Sequence, residues 1–203
     1  MLVNMCSLQN SPNGLMGKKM SDLAAFGDQP GLKNTILEMT RSAISEINNP
    51  HFYHTERGFQ GQLLIEMNIL PQMEYFHSRR FFLEIEPQKN RTVHSTRQRP
   101  DMVLHIPRDI TGSPVDENNL AVWGLKRRAT IDRAIQDFRK LDEMFEFLHY
   151  PVGVFINIDS RNHFLDCYRG AYQDRIIGIA VELQHGVVSL NRAVYINDVL
   201  TSI

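Results

Sequence analysis

Residues 120–127 read LAVWGLKR; residues 130–148 follow as TIDRAIQDFRKLDEMFEFL, and residues 152–158 as VGVFINI. The first run is rich in strand formers. The second places Ile131, Ala134, Ile135, Phe138, Leu141, Phe145 and Leu148 on one stripe and charges on the other, the pattern of an amphipathic helix. The third is a short apolar run after Pro151, with the length of a strand buried on both faces. Strand, helix and strand in this order make a crossover unit, so part of the sheet is expected to be parallel and covered by helices.

Working outward, RRFFLEIE at 79–86 and RPDMVLHI at 99–106 read as two more strands, and TGSPVDENN at 111–119 reads as a loop. Upstream, Gly31 to Asn48 carries Leu32, Ile36, Met39, Ala43, Ile44 and Ile47 at helical spacing and ends at Asn48-Asn49-Pro50. A second helix is expected over TERGFQGQLLIEMNIL (55–70), capped by Thr55, with Phe59, Leu63, Met67 and Leu70 along one side. Glu56 and Gln60 lie four apart beside that stripe, so an acid there can be turned inward. Downstream, the reading places a helix over Arg161 to Tyr172, strands in IIGIAVEL and GVVSL around a His185-Gly186 turn, and a short tail. Residues 1–30 read as a flexible leader and 31–203 as one domain, an α/β fold with a central mixed sheet flanked by helices.

With 42% hydrophobic and 22% charged residues in 203, the composition is that of a soluble globular chain rather than a disordered one. No membrane span or secretory signal is visible, and a cytoplasmic location is expected. Two cysteines argue against a disulfide framework or a cysteine-based zinc site. The net charge of -1 conceals a basic centre: residues 79–140 hold thirteen Lys and Arg against eight Asp and Glu. Such a patch suits a polyanion, although continuing to Glu146 brings the acids to eleven, and a merely solvated surface stays open.

Candidate chemistry centres on Asp101 and Lys126, 25 residues apart. Alternation puts Val122, Gly124 and Lys126 on one face of their strand and Trp123 on the other, among core residues. If the strands bearing Asp101 and Lys126 are neighbours, the two side chains converge. The histidines show no HxH or HxxxH spacing, and GxSxG, P-loop and GxGxxG turns are missing, which leaves hydrolase-elbow and nucleotide-binding readings without support.

The order of a Glu-bearing helix (TERGFQGQLL), a strand with RPDMVLHI, a strand with AVWGLKRR, an amphipathic helix and an apolar strand resembles the PD-(D/E)XK, or restriction-endonuclease-like, nuclease superfamily over roughly residues 55–158. The resemblance implies metal-dependent hydrolysis of phosphodiester bonds, with DNA as the expected partner and Mg2+ or Mn2+ as cofactor. It makes Asp101 the metal-binding aspartate, Lys126 the motif lysine and Glu56 the helix glutamate near the metal, so that Asp101 and Glu56 are the expected metal ligands, and it puts Gln136 where some members keep an active-site Gln. Arg127 and Arg128 would serve as phosphate clamps, with a solvated strand end as the ordinary alternative. Double-strand cutters often pair by twofold symmetry, so a homodimer is among the expectations.

One position departs from the family pattern. Gly124 stands where the acid two residues before Lys126 belongs, so the chain reads G-L-K. Three explanations are open: an acid from another element stands in, with Glu56 or Asp132 the first candidates; the chain is a catalytically inactive nuclease-fold protein that binds nucleic acid or a protein partner; or it carries an inactivating change. Glycine in a strand often marks a close approach of backbone or ligand.

Overall fold

The computed structural model describes residues 29–85, 99–107, 119–196 and 199–203. Residues 1–28 of the expected leader and the 111–118 part of the expected loop lie outside the described residues, and residues 29 and 30 belong to the first helix rather than to the leader. Helix α1 is Gln29–Glu46. A short 3-10 turn, Pro50–His54, leads to α2 (Glu56–Asn68), which Thr55 caps by accepting from the Gly58 N–H at 2.9 Å. The expected stripe through Leu70 is cut short. Leu70 is extended, and Pro71, pre-set for a first helical turn, opens a separate helix α3 (Pro71–Ser78) that the sequence reading did not contain.

The strands β1 (Phe82–Ile85), β2 (Met102–His105), β3 (Asn119–Arg127), β4 (Val152–Ile158), β5 (Ile176–Gln184), β6 (Val187–Ile196) and β7 (Val199–Ser202) form one seven-stranded sheet, ordered as in the chain. Helix α4 (Ile131–Leu148) joins β3 to β4. The pairs β3–β4 and β4–β5 are parallel and the rest antiparallel, so the sheet is mixed and the expected crossover is present. Every residue of β4 is buried, in keeping with helices on both faces. Leu32, Ile36, Phe59, Leu63 and Met67 pack against Trp123, Leu125, Val154 and Ile156 on one face. Phe138, Leu141 and Phe145 of α4 pack with Val122 and Phe155 on the other. Gly153 lets α4 lie close, since a Cβ there would enter the Phe145 ring. Trp123 lies fully buried, as alternation predicts, with its indole N–H donating to Thr40 Oγ1 at 3.1 Å.

Two further expectations are corrected. Arg161–Tyr172 is no helix; only a 3-10 turn, Leu165–Cys167, forms there. The Asn162 side chain accepts from the Phe164 N–H at 2.8 Å, and His163 Nδ1 accepts from the Leu165 N–H at 3.0 Å. These local bonds compete with helical ones, and Phe164 takes a left-handed φ of 55°. The short tail is instead the end of β6 and the edge strand β7. Among the described residues no helix is long and apolar enough to cross a membrane.

Candidate active site

The register of β2 and β3 sets the site. Met102 pairs with Trp123, so Asp101, one residue before β2, falls opposite Gly124. Its Oδ2 accepts from the Leu125 N–H at 2.6 Å, and its carbonyl oxygen accepts from the side-chain amide of Gln60 on α2. Gln60, beside the apolar stripe of α2, is the residue turned inward, and it fastens the start of β2.

Lys126 reaches two carboxylates from different helices. Its Nζ lies 3.5 Å from Glu56 Oε2 and 3.7 Å from Asp137 Oδ2, the latter on α4. Burial pulls the Lys126 ammonium down, but Asp137, Glu56 and Asp101 together more than offset this and hold its pKa above the ordinary lysine value. Asp101 is pushed above the usual carboxylate value, first by burial and then by Asp137 and Glu56; the Leu125 N–H and Lys126 oppose the rise. Asp101 and Lys126 thus influence each other's charge within one group that includes Asp137 and Glu56.

Asp137 was not among the acids expected to replace the one missing at 124. Asp132 is exposed in the first turn of α4, and Gln136 is exposed beside Asp137, so neither faces the cluster. Asp137 is buried; Oδ1 accepts from Lys140 Nζ at 2.5 Å, and Oδ2 has no hydrogen-bond partner. Nothing lies within 4 Å of where a Cβ on Gly124 would stand. Arg99, Asp101, Gly124, Lys126, Asp137 and Lys140 are among the residues lining the cavity at that place, which measures about 40 Å³. That is room for more than one water-sized group.

Glu56 reaches the cluster from the first turn of α2. Its Oε1 accepts from the Arg127 N–H at 3.1 Å and Oε2 faces Lys126, and it lines a separate cleft with His54, Thr55, Arg57 and Arg127. It anchors Lys126 from outside the cavity. Arg127 is occupied within the fold: Nε donates to the Tyr53 carbonyl at 2.7 Å and Nη2 to Asp159 Oδ2 at 2.9 Å. Arg128, 66% exposed, donates from Nε to the same oxygen at 2.8 Å. Asn157, paired with Lys126 across β3 and β4 and fully buried, accepts from the Ala129 N–H and donates to Ser160 Oγ and the Asn162 carbonyl. It secures the turns leaving both strands at the site.

Among the described residues no three of His, Cys, Asp and Glu are grouped to hold a metal ion. Two carboxylates suffice for magnesium, which usually keeps several waters. Asp101 and Asp137 line one cavity, and Asp137 directs a buried oxygen without a hydrogen bond beside it, so the residues present fit a hydrated divalent cation. Comparison with protein-family models, with curated proteins and with solved structures brings up no match.

Proposed function

We propose that this chain is a restriction-endonuclease-like, metal-dependent nuclease that hydrolyses phosphodiester bonds in DNA, with Asp137 replacing the acid absent at 124. The observation that carries this reading is the buried Asp137 oxygen that has no hydrogen bond and lies 3.7 Å from the Lys126 ammonium, at the cavity lined by Gly124. Asp101 and Asp137 would hold Mg2+ or Mn2+. When bound, such an ion neutralises charge on the phosphate and makes water a better nucleophile. Lys126, kept cationic by its acids, orients the attacking water or stabilises negative charge on the phosphate oxygens. Glu56 positions Lys126, and Gln60 holds Asp101 in place. Arg99 and Lys140 supply positive charge at the cavity for the nucleic-acid backbone and the exposed Arg128 adds to it beyond the strand end, which Arg127 braces.

The full chain is expected to nick plasmid DNA with magnesium or manganese and to stop on adding EDTA. Undiminished cutting in EDTA, or none with either metal, contradicts the reading. The second reading is a noncatalytic DNA-binding module. It is favoured by the two ammonium groups that already counter Asp137. In that case DNA associates in a salt-sensitive way without being cut, and Gly124→Glu, for which the cavity has room, creates cleavage.

A further inference from the structure

We infer that Lys140 is a tethered counter-ion that occupies Asp137 in the metal-free protein and yields it when a divalent cation binds; this rests on the metal site proposed above. The two lysines at Asp137 are held in different ways. Lys126 is 24% exposed, sits on a central strand and is shared between Glu56 and Asp137, so it stays in place. Lys140 is 42% exposed, stands one turn after Asp137 on the same helix, and bonds Asp137 Oδ1 at 2.5 Å. Its flexible stem can swing to solvent without disturbing α4.

Charge balance calls for such an exchange. Asp101, Asp137 and Glu56 carry three negative charges, and Lys126, Lys140 and Arg99 three positive ones. A divalent cation added to that set leaves an excess of positive charge, which the withdrawal of one ammonium reduces. Lys140 is the ammonium free to withdraw, and it also lines the cavity with Arg99. Its presence spares the fold an uncompensated buried carboxylate before the metal arrives, and lowers metal affinity in return.

The test is Mn2+ binding to the full chain without DNA, followed by the loss of the free-ion paramagnetic resonance signal. Lys140→Met and Lys140→Gln are expected to bind Mn2+ about three- to tenfold more tightly than the unsubstituted chain, the range between a surface pair and a charge-assisted bond. Lys140→Arg restores the original affinity. Arg139→Met, which removes an equal charge from the neighbouring exposed position, shifts it less than about twofold, because exposed charges are screened. Equal or weaker Mn2+ binding by folded Lys140→Met and Lys140→Gln overturns the inference while leaving the metal site intact. Binding by none of the chains overturns the proposed site itself, and with it this role for Lys140.

Discussion

Asp137→Asn is expected to lower magnesium-dependent DNA cleavage by about a thousandfold, since several kcal/mol of metal-derived stabilisation depend on the ligand's charge. The amide preserves the shape of the side chain, so α4 keeps its packing through Phe138 and Leu141. It removes the anion that faces both Lys126 and Lys140. Lys126 retains Glu56 at 3.5 Å and remains in position, so the loss reports on the metal ligand and not on a collapsed site. Asp132→Asn, one and a half turns earlier and exposed, leaves the rate unchanged. Single-turnover cleavage at saturating metal separates the two variants. Full activity in Asp137→Asn, or loss in Asp132→Asn, would return the missing acid to a different residue.

Asp101→Asn has two effects of opposite sign. Cleavage falls by a similar factor, about a thousandfold, because the other carboxylate of the pair loses its charge. Stability at neutral pH rises by about 1 kcal/mol, the usual gain when a site residue held at a cost to folding is neutralised. The sign follows from burial. Asp101 has a pKa above its ordinary value of 3.8 in the folded chain, so folding favours the protonated form. That preference stabilises the fold fully below the unfolded pKa and is lost as pH rises through the folded one. Ionisation of the native carboxylate is therefore at the fold's expense, whereas the asparagine oxygen still accepts from the Leu125 N–H at no such cost. Thermal unfolding is expected to show Asp101→Asn melting about 2–4 °C higher at pH 7, with the gain fading toward pH 3. A lower melting temperature at pH 7 would mean that Asp101 is structural.

What was legible from residues alone follows periodicity. The β3–α4–β4 crossover stood out because the apolar stripe of α4 and the run of β4 differ in period. Asp101 and Lys126 were legible because alternation fixes the face of each strand residue once the strands are neighbours. Of the two acids first considered for the missing position, Glu56 reaches Lys126 and Asp132 is exposed; Asp137 carried a signal of its own, since it follows Ala134 by three and precedes Leu141 by four, both on the buried stripe of α4. An acid at such a position needs partners, and here Lys126 and Lys140 supply them. Gln136 and Asp132 lie off that stripe, and an analogy of sequence position could not reveal their exposure. The ties of Arg127 to Tyr53 and Asp159, and of Glu56 to the Arg127 amide, depend on contacts between residues 32 to 74 apart in the chain, beyond the reach of local pattern.

The most direct measurement is a crystal structure grown with Mn2+, read through its anomalous scattering. The account predicts a peak in the cavity over Gly124, with carboxylate oxygens of Asp101 and Asp137 within about 2.3 Å and Lys140 turned away. A peak bound elsewhere, or an empty cavity at manganese concentrations that support DNA cleavage, would contradict it.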